Sequence, residues 1–577
     1  MKTPSASPSS HRPDIDVIIL GSGIAGSTLA AVLARNSAKV LVLDTGSHPR
    51  FAVGESTTRL TSFRLRIIAE RYDVPELKSL ATFEDIHSKI SASCGLKESF
   101  GFIYHRPDSN QDPSECIELT NTVMTNPESH LFRQDIDARL LAIAIHHGAN
   151  IEPHTNVTDF DFDDDGVTVK SDSGQTWRCR FVIDASGFRS PLARKLNLRE
   201  QPTRLRHHAR SLFTHMVDVP TYDDVVFPRG AHGNRVAWNR GTLHHVFEGG
   251  WIWVIPFNNH TLSRNSLTSV GLSVDPRIHP KPDCPPEEEF RKMISRFPEI
   301  NSQFASSRAV RQWVSTDRLQ YSSTRTVGYR WCLSAHAAGF VDALFSRGLT
   351  DTLDGVHALG WRLLDALRED DFSVGRFEPV HQIEQARLAN NDALVASAYT
   401  SFQNYDLFSA WLRVWISSQI FLNLETIRAC QLFHESRNTK FLDRLERVAM
   451  NSACPDYSPD NRLFWAASDE LQQVAEGHQS AAEAATRVMR LLKEADCVPP
   501  ALELDNAENR IIRLMTGTTM VKTLRWANMS APAEVRQIVN EGIRALFRLR
   551  VSPSQFNHLE ELRHRVAAIP VLAKALR

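Results

Sequence analysis

Asp16-Val-Ile-Ile-Leu-Gly-Ser-Gly-Ile-Ala-Gly-Ser-Thr-Leu-Ala-Ala-Val-Leu-Ala-Arg35 is the stretch from which the rest of the chain can be read. Asp16 to Leu20 reads as a buried strand and Ile24 to Arg35 as an Ala/Leu-rich helix. Gly21, Gly23 and Gly26 lie between and just inside them with the spacing G-x-G-x-x-G. Each glycine answers a separate demand: a tight turn, close backbone approach to a pyrophosphate, and close packing of helix on strand. The helix then begins at Ile24 and Ala25, whose unpaired amides and positive dipole end suit phosphate. Lys39 to Leu43 reads as the next strand, and Asp44 follows where a carboxylate would hold a ribose hydroxyl. With strand, helix, second strand and acid in register, the stretch reads as a dinucleotide site rather than as a glycine turn without a ligand.

The 577 residues predict one large core with additions. Sixty-six basic residues face 67 acidic ones, so neither a nucleic-acid footprint nor an acidic tail is written into the charge. The eight cysteines have no C-x-x-C or zinc spacing and read as free thiols of a reducing compartment. Residues 1–13 are Ser/Pro-rich without an apolar run and read as a disordered tail rather than a signal peptide. No run reaches membrane-spanning length. The most apolar helix, near Leu407 to Leu424, carries Arg413 and reads as amphipathic. A cytoplasmic protein with no membrane partner is expected.

Along the chain, Phe51-Ala-Val-Gly-Glu-Ser-Thr-Thr58 is too small and polar for a core and leads into a helix, with Ser56 or Thr57 as its N-cap. Cys94 to His105 is strand-like, with Lys97 its only cation before His105. Arg133 and Asp137 pair at one helical turn's spacing near the start of a helix. Val167–Lys170 and Arg180–Ile183 read as strands, the second ending in Asp184-Ala-Ser-Gly187. That returns the chain to the carboxyl edge of the sheet, where doubly wound folds bind ligands. From about 205 to 280 the pattern changes to short aromatic and β-branched runs, Ser211–Val217, Leu243–Phe247, Trp251–Pro256 and Ser269–Val274. These predict an inserted antiparallel sheet forming a substrate wall. Arg330–Ser334 reads as a returning strand. Beyond about 395 the pattern is helical to the end, with Ser480-Ala-Ala-Glu483 as a capping box and Ser530-Ala-Pro532 opening another helix. The expected division is therefore a tail (1–13), a core with its inserted sheet (14–395), and a helical C-terminal domain (396–577). That domain would cap the substrate pocket or provide an oligomer surface such as a homodimer's.

One dinucleotide fingerprint is present, with no second one for a nicotinamide nucleotide. Together with Phe51-Ala-Val-Gly-Glu-Ser56, Asp184-Ala-Ser-Gly187, Trp251-Ile-Trp-Val-Ile-Pro256 and Gly339-Phe-Val-Asp-Ala-Leu-Phe-Ser-Arg-Gly348, it makes the chain resemble the flavin-dependent halogenases, most of all their tetracycline-type, aromatic-polyketide branch. The resemblance spans residues 15 to about 400. The glycine fingerprint and Asp184-x-x-Gly187 are shared with flavin hydroxylases, whereas Trp251-x-Trp253-x-Ile255-Pro256 is the halogenase signal. It implies an α/β fold with a Rossmann-type FAD domain of the glutathione-reductase or hydroxylase kind. It also implies FAD supplied as FADH2 by a separate NAD(P)H flavin reductase, chloride or bromide as co-substrate, and a small phenolic substrate. In such enzymes a flavin C4a-hydroperoxide oxidises halide to hypohalous acid, which travels through a tunnel to a lysine. That lysine precedes a phenylalanine by five positions, as Lys97 precedes Phe102. The resemblance further implies that Trp251 and Trp253 keep substrate from the flavin. Ser346, Arg347 and Gly348 would hold halide, and Arg133, Asp184, Gly187 and Gly339 would join Gly21, Gly23, Ile24, Ala25, Gly26 and Asp44 at the cofactor.

This chain departs from the family at three points. Asp342-Ala343-Leu344 stands where Asp-Pro-Leu is common, which leaves the halide turn without a rigid residue. Phe345 stands where tryptophan halogenases carry glutamate, which argues against free tryptophan as substrate. Ala335-His336 replaces the hydroxylases' Gly-Asp. His207-His208 and His244-His245 have no acidic or cysteine partner at ligand spacing and read as structural or pocket histidines, with no metal. The alternative reading is a FAD-dependent aromatic hydroxylase.

Overall fold

The computed structural model describes residues 13–120, 127–226, 228–514 and 516–548. The expected N-terminal tail lies outside these except for Pro13, as does the last part of the helical end, 549–577.

The first strand, Ile15–Leu20, lies at the centre of an eight-stranded sheet. It pairs in parallel with Val40–Leu43 on one side and Thr176–Asp184 on the other. Trp331–Leu333 and Asn150–Glu152 extend the parallel run outward. An uninterrupted apolar strand is the mark of burial on both faces, and both are covered. Val17 and Ile19 pack under the helix Ile24–Arg35. Ile18 and Leu20 pack against Val157, Phe160, Val167 and Val169 of an antiparallel hairpin. Register places Leu20 opposite both Leu43 and Asp184, so the glycine turn, Asp44 and the Asp184 turn all emerge at one carboxyl edge.

The inserted sheet is larger than its sequence signal. Arg210–Val217, Thr268–Val274, Gly250–Pro256 and Thr242–Phe247 run antiparallel as expected. Beyond them, Thr242–Phe247 pairs in parallel with Ser99–Tyr104, which pairs with Cys116–Thr120. The period of two divides the tryptophan strand. Trp251, Trp253 and Ile255 face the C-terminal helices, while Ile252 and Val254 face a separate core closed by Phe290, Phe297 and Phe304.

Three local expectations are corrected. The helical end is not wholly helical, because Ile511–Arg513 pairs in parallel with Cys116–Thr120 and closes the edge of the inserted sheet. Three residues are too few to show a period, and only the waiting edge defines the strand. The helix Tyr405–Ser436 is not amphipathic where Arg413 sits: every residue from Leu407 to Ser417 is buried. Arg413 is tolerated there because its guanidinium donates to the Ala507 and Asn509 carbonyls at 3.0 and 2.9 Å. The N-cap after the Phe51 stretch is Thr58, whose N–H donates to Thr61 Oγ1 at 3.3 Å. Ser56 and Thr57 are committed elsewhere, as follows. Among the described residues, no helix is long and apolar enough to cross a membrane.

Candidate active site

A cavity of about 1370 Å³ opens at the carboxyl edge of the main sheet, well beyond the roughly 300–1,000 Å³ of ordinary small-ligand pockets. The three glycines divide their work there. Gly21 has φ +92°, and a Cβ on it would press on the Ala185–Ser186 backbone. A Cβ on Gly26 would collide with the Gly21 carbonyl, whereas one on Gly23 meets nothing within 4 Å. Gly23 is thus bare because the cavity side needs backbone access. The helix it starts has no side-chain cap and no acid in its first turn, which leaves its amides for an anion. Across the cavity, Asp44 accepts from Ser22 N and Oγ, both at 2.6 Å, from Gly46 N at 2.9 Å, and from Arg50. Burial would raise its pKa, but these donors outweigh burial and hold it at about 2. These features fit a dinucleotide with a pyrophosphate and a ribose.

Gly21, Gly23, Ile24, Ala25, Asp44, Arg133 and Gly187 line this cavity. Arg133 is clamped to Asp137 at 2.7 and 2.8 Å and donates to the Val53 carbonyl at 2.5 Å, so it also fixes the Phe51–Thr58 loop. Gly26, Asp184 and Gly339 do not line it. Asp184 is fully buried and is saturated by Ser186 N and Oγ, Ser190 Oγ and Leu192 N at 2.6–3.1 Å. Its carboxylate shapes the turn that carries Gly187.

Lys97 lies at the other end of that loop. It is fully buried and ends the strand Gly95–Lys97, which pairs with Glu128–His130 so that Lys97 opposes Glu128. Its Nζ donates to Ser56 Oγ at 2.9 Å and to the Thr57 carbonyl at 2.5 Å. It also stands 3.6 Å from Glu128 Oε2 and 3.5 Å from the centre of the Phe100 ring. Burial lowers its pKa from 10.5 to about 8, against the pull of Glu128. Val53 lines the cavity while Thr57 holds Lys97. Four residues of chain reach at most about 14 Å, which bounds the distance between those two Cα atoms.

The two indoles stand side by side, centroids 5.4 Å apart. Trp251 Nε1 donates to Tyr399 Oη at 3.0 Å and Trp253 Nε1 to Ser269 Oγ at 3.3 Å. Trp253 lies over Gly271 on the neighbouring strand, where a Cβ would strike the indole. Rings continue from Trp251 through His244 to Phe102 and Phe100, and so to Lys97. Pro256, which ends this strand, offers its carbonyl to His130 Nδ1 at 2.9 Å. Gly271→Ala is expected to displace Trp253 through overpacking, at about 1–3 kcal/mol of stability. Melting curves check this, and a wild-type melting temperature would show that the indole shifts without cost.

Ser346-Arg347-Gly348 turns into the 22-residue helix Gly348–Glu369, with Ser346 at φ +51°. This supplies a helix N-terminus at the turn. Gly348 borders a small cavity of about 50 Å³ together with Gly339, His336 and Glu384. Burial, with Asp351 adding to it, raises the Glu384 pKa to about 8, which favours its neutral form. The Arg347 side chain points away, to Asn390 at 2.8 Å, among the helices. Phe345 packs on Trp415.

Several residues here carry no motif. Glu128 and His130 reach Lys97 through the pairing of Glu128–His130 with Gly95–Lys97, Thr242 reaches it through hydrogen bonds to His130 and Ser56, and Glu55 meets His215 at 2.8 Å across 160 residues. The one sequence signal was the placement of Glu55 and Ser56 in a polar stretch unsuited to a core. His207 hydrogen-bonds Asp342 and His244 the Gly101 carbonyl, at 3.2 and 2.9 Å.

The fold and cavity define a flavoprotein built on a FAD binding domain, and the family of that description matches residues 14–371. The tetracycline 7-halogenase of Kitasatospora aureofaciens is 42% identical over 93% of this chain and 97% of its own length. The monodechloroaminopyrrolnitrin halogenase PrnC of Pseudomonas fluorescens is 42% identical over 90% of this chain and 93% of its own. The halogenase PltM, solved with phloroglucinol and FAD, superposes with a TM-score of 0.82 at 35% identity, over 86% of this chain and 99% of that one. The chain belongs to the flavin-dependent halogenases. It is an oxidoreductase that uses FAD, and the hydroxylase alternative is not favoured.

Proposed function

We propose that the chain halogenates an electron-rich, phenolic aromatic compound, with Lys97 as the halogenating residue, Trp251 and Trp253 as the wall between flavin and substrate, and the Ser346–Gly348 turn as the halide site. The burial of Lys97 at the far end of the loop that borders the FAD cavity carries this reading. Bound reduced flavin supplies, with oxygen, the oxidising equivalent that turns halide into hypohalous acid. Lys97 then acts in one of two protonation states. Its ammonium donates a hydrogen bond to the hypohalous acid, and its amine takes the halogen as a chloramine. The aromatic seam from Phe100 to Trp415 excludes water from that chemistry and suits a flat phenolic ring. Two relatives support the substrate class, one named for tetracycline and one solved with phloroglucinol.

A separate flavin reductase is the expected partner, since only one dinucleotide fingerprint is present. Purified protein given FAD and NAD(P)H alone should turn over negligibly, and adding a flavin reductase should restore product. Rapid bleaching of bound flavin by NADPH without a partner would contradict this. Mass spectrometry of product formed in chloride, in bromide and without halide tests the reaction itself; oxygen insertion regardless of halide would reject it.

A further inference from the structure

We propose that Thr242 and His130 are positioning residues that pin the Ser56 hydroxyl as a hydrogen-bond acceptor, so that the Lys97 amine places its two hydrogens on Ser56 and Thr57 and keeps its lone pair free for the electrophilic halogen. This rests on the reading of Lys97 as the halogenating residue.

The direction of every hydrogen follows from one fixed point. The Pro256 carbonyl can only accept, so His130 Nδ1 at 2.9 Å carries the hydrogen. Burial above all, with Lys97 and His244 adding to it, pushes the imidazole down to about 3, so Nε2 is bare. Thr242 Oγ1, 3.0 Å from Nε2, therefore donates to it. With its one hydrogen spent, Thr242 can only accept from Ser56 Oγ at 2.8 Å. Ser56 then has only lone pairs to offer Lys97 Nζ at 2.9 Å. All four residues are buried, and they come from four segments that meet only in the fold.

The Thr57 carbonyl is a second obligate acceptor, at 2.5 Å. Two acceptors take the two hydrogens of a free amine, and the remaining tetrahedral direction holds either the third ammonium hydrogen or the lone pair. The charged and titratable groups around Nζ are Glu128 at 3.6 Å and the imidazoles of His130 and His244; Arg59 faces Glu128 in turn. Burial brings Lys97 to about 8 in spite of Glu128, so the amine is within reach near neutral pH. The step it serves is Lys97–NH2 + HOX → Lys97–NHX + H2O. The N–X bond forms as the O–X bond breaks, and the departing hydroxide takes the amine proton as water. The oxidant is the hypohalous acid made at the flavin. If the chain is cut, the Ser56 hydroxyl can rotate and donate into the lone pair that must attack.

Thr242→Val removes the hydroxyl at nearly constant shape, and Thr242→Ser keeps it. Product, hypohalous acid trapped by monochlorodimedone, melting temperature and FAD affinity are measured together across neutral to alkaline pH. Thr242→Val should lose product by about tenfold or more, with hypohalous acid release and FAD affinity unchanged. Its rising alkaline limb should also move to lower pH, because a hydrogen bond to the amine favours the neutral form. Thr242→Ser should restore both. Should Thr242→Val melt early, His130→Gln against His130→Asn decides: glutamine can reach Thr242 with an acceptor, and asparagine keeps only the Pro256 bond. Wild-type yield and pH limb in Thr242→Val, or equal defects within either pair, would overturn the proposal. Lys97→Ala run in parallel separates the cases, since product surviving there would defeat the reading of Lys97 itself.

Discussion

Lys97→Ala and Lys97→Arg are expected to lose halogenated product by roughly 10²–10⁴-fold, the range a positioned acid–base group supplies, while still releasing hypohalous acid to monochlorodimedone. Charge alone does not meet the requirement. Arginine keeps a cation but cannot become a free amine, and its planar fork does not fit the space between Ser56 Oγ, the Thr57 carbonyl and the Phe100 ring. The same geometry sets the pH dependence. Burial lowers Lys97 from 10.5 to about 8, so product formed per hypohalous acid released should rise as pH passes through about 8. Stability carries the same sign. Between about 8 and 10.5 the unfolded chain binds more protons at this lysine than the folded one, so the contribution of Lys97 to stability rises with pH across that window. Product yield in Lys97→Ala equal to wild type would remove Lys97 from the chemistry.

Gly23→Ala and Gly26→Ala are expected to fail in different ways although they are three residues apart in one motif. A methyl group at Gly26 is driven into the Gly21 carbonyl under the first helix. The protein should lose at least about 1–3 kcal/mol of stability through overpacking, and its FAD site with it. At Gly23 the methyl meets no protein atom within 4 Å. That variant should melt as wild type, while FAD binding weakens by about tenfold or more, equivalent to about 1.4 kcal/mol, because the methyl occupies the path of the pyrophosphate. Melting curves and flavin titrations on the two variants are the measurement. Equal FAD affinity in Gly23→Ala and wild type would place the pyrophosphate elsewhere.

The sequence by itself determined whatever depends on neighbours along the chain. The Ile15–Leu20 strand, its glycine turn, its helix and Asp44 are local because a strand, a tight turn and a helix start are each specified within a few residues. The tryptophan strand was legible for the same reason, as period two assigns Trp251 and Trp253 to one face wherever that face ends up. Lys97 stood out through the family's spacing to Phe102, but nothing local distinguished it from a solvated lysine. Only the tertiary structure decided that it is buried, that Glu128 opposes it, and that Ser56, Thr242 and His130 line up behind it. It also turned Asp184 and the Arg347 side chain inward to structural partners, buried Arg413 against two carbonyls, and recruited Ile511–Arg513 to the edge of the inserted sheet. The physical reason is common to all of these. Burial and hydrogen-bond partners are set by which segments meet, and residues 56, 97, 130 and 242 meet only because the sheet register and the Phe51–Thr58 loop bring them together.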